Sequence, residues 1–312
     1  MSEEKKFIVT GGAGFIGSHL AGRLIGDGHA VTVIDDLSSG KMENLKEFSG
    51  HPGLSFRQMS ILDEGMAALF EGASAVFHIA AVPRVQYSIR YPELTNRANI
   101  EGTLKVLEAA RLSGVRRVVY ASSSSIYGNQ ETLPLHEGMA PNPMSPYALQ
   151  KLAGEYYCRL YHTLYGLETI SLRYFNVYGP KQDPSGGYAN LIPRSISNVL
   201  DGRPPVIFGD GLQTRDFTFV GDVVQANLLA AATGNARAFG EVFNIGGGRN
   251  ISVNEVVGMI TAGTGITPEY QAPVIEPKDT LAAIGKAREI LGWEPRVPFS
   301  EGISKTIHAY RR

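Results

Sequence analysis

Three glycines near the amino terminus, spaced three residues apart, constrain the fold of this chain most strongly. Gly11, Gly14 and Gly17 follow an apolar run at 7–9 and precede apolar residues at helical spacing, which predicts a strand, a tight turn and a helix. Gly11 permits the turn, Gly14 lets a pyrophosphate approach the backbone, and Gly17 lets the helix pack closely on the strand. The helix would direct its free N–H groups and positive dipole end at the phosphates. The stretch therefore predicts a dinucleotide site.

An acidic residue at the end of the next predicted strand indicates which dinucleotide binds. Asp35 follows the apolar stretch 30–34, about 20 residues beyond the glycines, where a carboxylate can accept hydrogen bonds from both adenosine ribose hydroxyls. The same charge would repel a 2′-phosphate, and no arginine follows at once. The pattern favours NAD over NADP. The alternative is that Asp35 and Asp36 only cap the following turn.

The composition excludes several classes of protein. The 312 residues have 43% hydrophobic content and a formal net charge of −1, which suits a large buried core and leaves no basic excess for binding nucleic acid. No apolar run approaches the length of a membrane span, and no apolar signal core precedes the first strand. We therefore expect a cytoplasmic protein without nucleic-acid or membrane partners.

Cysteine usage excludes two further kinds of site. Cys158 is the only cysteine, so neither an intramolecular disulfide nor a thiolate zinc site can form, and we expect no metal. Because it lies in an apolar helical stretch, Cys158 is predicted to be an inert buried thiol.

Strand-like apolar runs alternate with helical patterns through the first half of the chain. The connections are long enough for crossover helices, and several runs are apolar without alternation, so the pattern predicts a doubly wound parallel sheet of the Rossmann type. We expect a NAD-binding domain over 1–175 with a return segment near 214–245, and a smaller C-terminal α/β substrate lobe over 176–312. The predicted strands are 7–10, 30–34, 54–59, 75–79, 118–121 and 169–172.

Two polar residues near the expected cofactor edge have roles that spacing leaves open. His78 lies on a strand whose carboxyl end should face the cofactor, but a packed or backbone-bonded histidine is the simpler interpretation. Asn99, at the start of an amphipathic helix, could make a local turn contact or could bond the next strand near the cofactor.

A serine-rich strand end and a tyrosine–lysine pair predict the catalytic groups. The strand 118–121 runs into four serines at 122–125, which can hydrogen-bond a substrate hydroxyl or carbonyl. Tyr147 and Lys151 lie four residues apart in a predicted helix that runs to about Tyr165, so their side chains share one face. A neighbouring ammonium stabilises phenolate and lowers the pKa of a tyrosine, which would let Tyr147 exchange a proton with an alcohol near neutral pH.

The same helix carries apolar and aromatic residues around much of its circumference. A helix of this kind is buried on more than one face, which predicts contact with a partner subunit as well as with the core. We expect a homodimer through the helices near 96–112 and 147–165. The residues in question are Leu152, Tyr156, Tyr157, Leu160, Tyr161 and Leu164.

Together these motifs resemble the extended short-chain dehydrogenase/reductase superfamily, and within it the UDP-glucose and UDP-N-acetylglucosamine (UDP-GlcNAc) 4-epimerases. The resemblance covers nearly the whole chain and extends through the segments 173–180 and 214–220. It implies NAD as cofactor, a UDP-sugar as substrate, and C4 epimerisation that interconverts UDP-glucose with UDP-galactose and UDP-GlcNAc with UDP-GalNAc.

The resemblance also implies a role for each catalytic group. Tyr147 would be the base and acid, and Lys151 would bond the nicotinamide ribose and tune Tyr147. Ser123 would hold the reacting sugar hydroxyl, and Ser124 would assist. In the implied cycle Tyr147 takes the O4 proton while C4 passes hydride to NAD, the 4-keto sugar turns over, and the hydride returns to its other face.

Further binding residues are carried over by position. The cofactor set is Gly11, Gly14, Phe15, Ile16, Gly17, Asp35, Asp36, Ser38, Ser39, Gly40, Ser60, Ile61, Ile79, Ala80, Ala81, Asn99, Ala121, Tyr147, Lys151 and Tyr174. The substrate set is Ser123, Asn176, Asn190, Leu191, Val206, Phe208, Arg215, Glu276, Lys278 and Thr280. Within the substrate set, Arg215 matches a phosphate-binding arginine.

The chain departs from the family's pattern on the cofactor side. Pro83 stands where a lysine often reaches the cofactor phosphates, and Arg84 or Arg90 are the candidates to replace it. Ser60 stands in place of an aspartate that contacts adenine in many members. Both changes weaken contacts that the family uses.

The substrate side also departs from the pattern. The family's Arg-x-Gly-Asp segment falls on 273–276, so the second diphosphate arginine is missing and Lys278 is the nearest cation along the sequence. Thr280 falls where the family carries the residue that sets the size of the sugar pocket. A small residue there implies room for a 2-acetamido group, so we expect UDP-GlcNAc to be accepted as well as UDP-glucose.

Three alternatives stay open. A 4,6-dehydratase or decarboxylase would need an acidic residue beside the active-site serine, and the segment 122–127 has none. A uronate epimerase would share the catalytic groups. A non-catalytic NAD-binding scaffold is the third, because fold does not fix function, but an intact set of Ser123, Tyr147 and Lys151 argues against it.

Overall fold

A parallel sheet of seven strands forms the centre of the computed structural model, which describes residues 4–185, 190–273 and 278–311. Numbered along the chain, the strands are β1 (Lys6–Thr10), β2 (Ala30–Asp35), β3 (Leu54–Gln58), β4 (Ala75–His78), β5 (Arg117–Ser123), β6 (Glu168–Tyr174), β7 (Val177–Tyr178), β8 (Val206–Phe208), β9 (Thr214–Asp216), β10 (Thr218–Phe219), β11 (Glu241–Ile245), β12 (Asn250–Ser252) and β13 (Glu269–Gln271). The central sheet has the order β3-β2-β1-β4-β5-β6-β11. This order confirms the predicted doubly wound sheet, and each predicted strand of the first half agrees with an observed one to within two residues.

Helices cover both faces of this sheet and also enclose a smaller lobe. They are α1 (Phe15–Gly26), α2 (Val85–Arg90), α3 (Pro92–Asn96), α4 (Gly102–Leu112), α5 (Pro146–Tyr165), α6 (Leu191–Leu200), α7 (Val220–Ala232), α8 (Val253–Thr261), α9 (Gly285–Leu291) and α10 (Phe299–Tyr310). A π-helical turn, Arg97–Glu101, joins α3 to α4. On one face, Val9 of β1 belongs to the apolar cluster with α1, α7 and α9; on the other, Ile8 belongs to the cluster with α4 and α5. Successive strand residues point to opposite faces and both faces are buried, so the strands are apolar without alternation.

The chain after β6 builds a smaller lobe and then returns to the sheet. β11 pairs with β6 in parallel, and α7 packs against the same core as α1. Only the later part of the expected return segment joins the central sheet, because β9 pairs with β12 and β10 pairs with β7 in two small separate sheets. Helices α6, α8 and α10 enclose the core of this lobe around Tyr178, Ile196 and Phe299.

Within the described ranges, no helix combines the length and the apolar character that crossing a bilayer needs.

Candidate active site

The turn between β1 and α1 has the shape that its glycines predict. Gly11 has a φ of +69°, and a Cβ there would lie 2.7 Å from the backbone of Ala80, just after β4, so only glycine fits. A Cβ at Gly17 would clash with the Gly11 carbonyl oxygen. Among the described atoms, a Cβ at Gly14 would meet only that oxygen, at 3.1 Å, and α1 begins at the next residue without a side-chain cap. The turn and the uncapped N–H groups of α1 therefore fit a pyrophosphate.

The Asp35 carboxylate lies beside this turn at the end of β2. One oxygen accepts the Ala13 N–H at 2.9 Å and the other accepts the Leu37 N–H at 2.8 Å. Burial raises the pKa of Asp35, and the two N–H donors partly offset that rise. Each oxygen has a lone pair left for a ribose hydroxyl. Asp35 thus caps the next turn, as the alternative interpretation held, and also has acceptor capacity that fits an adenosine ribose.

Most of the other expected cofactor residues lie along the same edge of the sheet. Phe15 and Ile16 begin α1, Asp36, Ser38, Ser39 and Gly40 form the loop after β2, Ile79, Ala80 and Ala81 follow β4, Ala121 lies in β5, and Tyr174 ends β6. Close approaches or hydrogen bonds involve several of these residues. A Cβ at Gly40 would lie 2.7 Å from the Asp35 carboxylate, the Asp36 carboxylate accepts the Ser38 N–H, and the Tyr174 phenol is hydrogen-bonded to Asn227.

The turn after β3 carries its acidic group at a different position from the family's pattern. The Ser60 N–H donates to the Asp63 carboxylate at 2.8 Å, so an acidic side chain is present three residues further on. Ile61 is buried and lies against Gly102 of α4, which is a packing contact. Arg84 precedes α2, and Arg90 lies over the Tyr91 ring at the other end of that helix.

Ser123, Tyr147 and Lys151 converge at the carboxyl end of β5. Ser145 caps α5 by accepting the Ala148 N–H, which places Tyr147 in the first turn of the helix. The Lys151 ammonium donates to the Ala121 carbonyl oxygen at 2.7 Å. The Ser123 hydroxyl is hydrogen-bonded to the Ser125 hydroxyl at 2.9 Å, and it lies near enough to the Tyr147 phenol to lower the pKa of that tyrosine. β5 is two strands from β1, with β4 between them, so these groups lie on the sheet edge that carries the glycine turn.

The electrostatics of this pair correct one expectation. Burial raises the pKa of Tyr147 to about 12, and the nearby Ser123 hydroxyl offsets only part of the rise. Burial also lowers the pKa of Lys151 to about 7, which Cys158 and Glu155 partly oppose. The Lys151 ammonium is 5.9 Å from the centre of the Tyr147 ring and is directed at Ala121. The chain by itself does not show the predicted lowering of the Tyr147 pKa, because burial is the largest influence on that phenol.

A buried ion pair that the sequence did not predict lies beneath the site. Arg173 of β6 donates two hydrogen bonds to Glu155 of α5, at 2.8 and 2.7 Å, and Ser122 donates to the same carboxylate at 2.5 Å. This pair anchors the serine strand end to the helix that carries Tyr147. Glu155 could have been found, because it lies four residues beyond Lys151 on the same helix face.

A second buried network ties the loop after β4 to α5. The Asn99 carboxamide accepts the Val82 N–H at 2.8 Å and donates to the Val82 carbonyl and to Gln150, and Gln150 also donates to Thr95. Asn99 thus bonds the loop after β4 and helix α5, which is neither the local turn contact nor the bond to the next strand that spacing left open. Both donors of its carboxamide are used within the protein, which makes it a positioning residue. The π-helical turn that holds Asn99 is a deviation often found at functional sites.

Two residues with ambiguous chemistry are structural. His78 is buried between the hydroxyls of Thr10 and Thr103, at 2.8 and 3.0 Å, and burial lowers its pKa to about 3, so it stays neutral. This confirms the interpretation of a packed histidine. Cys158 is buried, and burial raises the pKa of its thiol to about 12, which confirms an inert thiol.

Four of the expected substrate residues come together around β9. The Asn176 backbone has a φ of +27°, uncommon for a residue other than glycine, and its amide donates to the Asp216 carbonyl oxygen at 3.0 Å. Arg215 donates to the Thr214 and Lys278 carbonyl oxygens, and the Thr280 hydroxyl accepts the Asp216 N–H. Backbone strain of this kind often marks functional sites.

The remaining substrate residues form a second group at the start of α6. Asn190 is the residue before that helix and Leu191 begins it, while Val206 and Phe208 lie in β8. Leu191 packs against the cluster that contains β8. The Arg194 guanidinium lies 5.4 Å from the Phe208 ring centre. The sequence did not predict this contact between a cation and an aromatic ring. Glu276 lies outside the described residues.

The chain is similar to a family of known enzymes. The model of the NAD dependent epimerase/dehydratase family matches residues 7–246. A UDP-glucose 4-epimerase of Mycolicibacterium smegmatis is 42% identical over 97% of this chain and 98% of its own length.

Two solved structures are also similar. A UDP-N-acetylglucosamine 4-epimerase from Methanobrevibacter ruminantium, in complex with UDP-N-acetylmuramic acid, has a TM-score of 0.95 at 36% identity and covers 99% of each chain. A UDP-glucuronic acid 4-epimerase from Bacillus cereus, in complex with UDP-glucuronic acid and NAD, has a TM-score of 0.91 at 33% identity and covers 98% of this chain and 99% of its own. These matches confirm NAD as the cofactor, and the chain belongs to the NAD dependent epimerase/dehydratase family of enzymes.

Proposed function

We propose that the protein catalyses the C4 epimerisation of a UDP-hexose with NAD as a tightly held cofactor. The observation that carries this proposal is the convergence of Ser123, Tyr147 and Lys151 at the end of β5, two strands from the glycine turn. A serine hydroxyl and a tyrosine phenol close together beside a dinucleotide crevice suit reversible removal of an alcohol proton. The domains that go with these roles are a NAD-binding domain over 1–175 with a return segment near 214–245, of which β11 joins the central sheet, and a substrate lobe over 176–312.

The chain's own groups divide the work as follows. Ser123 holds the sugar O4, and the Tyr147 phenol takes the O4 proton and later returns it. Bound NAD supplies a reversible acceptor for the C4 hydrogen and a positively charged ring that favours phenolate. Lys151, held by Ala121, bonds the nicotinamide ribose and keeps the end of β5 fixed. Burial raises the pKa of Tyr147 to about 12 in the chain itself. Proton transfer near neutral pH therefore depends on the positive charge of the bound nicotinamide ring.

The substrates we propose are UDP-glucose and UDP-GlcNAc with their C4 epimers. Thr280 is a small residue at the position that sets the size of the sugar pocket in the family, which supports acceptance of a 2-acetamido group; its hydroxyl accepts the Asp216 N–H. Arg215 and Lys278 provide positive charge for the diphosphate, and the group around Phe208 and Leu191 provides an apolar surface for the uracil ring.

A dehydratase or decarboxylase needs an acidic residue beside the active-site serine, and the segment 122–127 has none. The buried carboxylate nearest in sequence to Lys151 within α5 is Glu155, and it is committed to Arg173 and Ser122. A carboxylate that balances a buried guanidinium cannot move a C5 or C6 proton without leaving that charge unpaired. This commitment favours epimerisation.

We also propose a homodimer. The outward face of α5 exposes Leu149, Tyr156, Leu160 and Leu164, each at 49% to 64% exposure, and Leu112 at the end of α4 is 66% exposed. Leu152 and Tyr161 of the same helix are instead buried in the protein core. An apolar patch of this kind on a water-soluble chain favours a second copy, which would bury it through paired helices.

Product analysis by NMR tests the function. Purified protein is incubated with UDP-glucose, UDP-GlcNAc, UDP-glucuronate or the C4 epimer of each, without added NAD. We expect conversion of the first two pairs and a transient absorbance of reduced nicotinamide. A requirement for stoichiometric external oxidant would contradict the epimerase and indicate a dehydrogenase. Retained NAD with no conversion of any UDP-sugar would indicate a scaffold.

A further inference from the structure

We propose that Asp216 is the positioning residue that holds the expected substrate residues around β9 in register, an inference that rests on the function proposed above. Its side chain is fully buried. The carboxylate accepts three backbone N–H groups, from Gly247 at 2.5 Å, Gly248 at 3.1 Å and Ala282 at 2.9 Å. The two glycines follow β11 and the alanine precedes α9, so one carboxylate joins two segments that are distant in sequence.

The backbone of Asp216 engages the expected substrate residues directly. Its N–H donates to the Thr280 hydroxyl at 3.2 Å, and its carbonyl oxygen accepts the Asn176 amide at 3.0 Å. Arg215 is the preceding residue of β9, so its side chain projects to the opposite face of the strand, where it donates to the Lys278 carbonyl oxygen. The position of Asp216 therefore sets where Asn176, Arg215 and Thr280 lie relative to one another.

The surrounding chain is built to receive this carboxylate. A Cβ added at Gly246 or at Gly247 would lie 3.0 Å from one of its oxygens, closer than such contacts normally allow. All three of its described hydrogen-bond partners are backbone N–H donors. An amide in its place would turn an NH₂ group toward at least one of those donors, leaving it without an acceptor.

Asp222, six residues further along the chain, offers a matched control. It is also a buried aspartate, and its carboxylate accepts the backbone N–H groups of Arg296 and Val297 at 3.1 and 3.2 Å. These partners precede α10 and belong to none of the expected binding residues. Asp222→Asn therefore makes the same chemical change at a buried carboxylate that contacts no expected substrate residue.

The test compares Asp216→Asn and Asp222→Asn as full-length, NAD-loaded proteins. UDP affinity is measured by titration calorimetry, KM and kcat are measured for UDP-glucose, and thermal melting reports stability. We expect Asp216→Asn to weaken UDP binding and raise KM by about tenfold or more, with kcat within about threefold, because the loss falls on binding. Asp222→Asn should lower the melting temperature and leave UDP affinity within about twofold of wild type. Equal effects of the two variants on UDP affinity, or an effect of Asp216→Asn on melting alone, would overturn the inference.

A milder variant covers the case in which Asp216→Asn does not fold. Thr280→Val keeps the size of the side chain and removes only the acceptor for the Asp216 N–H. We expect it to raise KM for UDP-glucose in the same direction, and an unchanged KM would overturn the inference. If wild type binds UDP but converts no UDP-sugar, the proposed function fails, while the comparison of UDP affinities still decides the role of Asp216.

Discussion

The Lys151 ammonium donates a 2.7 Å hydrogen bond to the carbonyl oxygen of Ala121, which fixes the lysine to the strand that carries Ser123. Burial lowers the pKa of Lys151 to about 7 from its ordinary value of 10.5. Between these values the unfolded chain binds more protons than the folded one, so this group makes the free energy of unfolding rise with pH. The expected slope is at most about 1.4 kcal/mol per pH unit.

Lys151→Met tests that pH dependence. We expect the stability advantage of wild type over the variant to increase as pH rises from 7 to 9, because wild type then loses a buried charge and methionine has none to lose. Urea unfolding at several pH values measures it. A difference between the two proteins that does not change with pH would mean that Lys151 keeps its ordinary pKa.

Tyr147→Phe should abolish most of the turnover while leaving the fold and the cofactor in place. The substitution removes only the phenolic hydroxyl that meets Ser123, and loss of a general acid–base group costs about 10²–10⁴ in rate. NMR detection of the epimer measures activity, and absorbance after denaturation measures the NAD content. Tyr165→Phe, on an exposed tyrosine at the end of the same helix, is the control and should retain wild-type turnover.

Glu155→Gln should destabilise the protein strongly. The substitution leaves the buried Arg173 guanidinium without its counter-charge, which costs about 3–5 kcal/mol. Asp27→Asn breaks the exposed pair with Arg23 and should cost less than about 1 kcal/mol. Chemical denaturation measures the free energy of unfolding that each variant loses. Equal losses would show that the buried pair contributes no more to stability than a surface pair.

Thr280→Tyr should select between the two sugars. A larger side chain would take up the room proposed for the 2-acetamido group, so kcat/KM should fall further for UDP-GlcNAc than for UDP-glucose, by about tenfold or more. Thr280→Val separates size from the hydrogen bond to Asp216 and should affect both sugars alike. Parallel losses on both sugars in the tyrosine variant would place the sugar elsewhere.

Leu160→Asp should convert the proposed dimer to a monomer. Leu160 lies near the middle of the exposed apolar face of α5, and a charge there cannot be buried without a partner. Light scattering coupled to size exclusion gives the mass of each species. Leu212→Asp changes an equally apolar side chain, 62% exposed and outside α4 and α5, and should leave the mass of wild type unchanged. A wild-type protein of monomeric mass would contradict the proposal.

Local signals in the sequence were sufficient for the sheet, the glycine turn and the catalytic helix. The reason is that each depends on a short-range rule: apolar runs make buried strands, Gly11 has no alternative at a positive φ against Ala80, and residues four apart share a helix face. The same rules identified Tyr147 and Lys151 as neighbours.

Tertiary structure alone decided the charges and the connections between distant segments. Desolvation depends on everything that packs around a group, so the pKa of Tyr147 rose where the sequence predicted a fall. Asp216 joins the loop after β11 to the segment before α9, and no spacing rule relates positions so far apart. Periodicity and spacing describe neighbours along the chain, whereas burial and long-range hydrogen bonds exist only once the chain has folded.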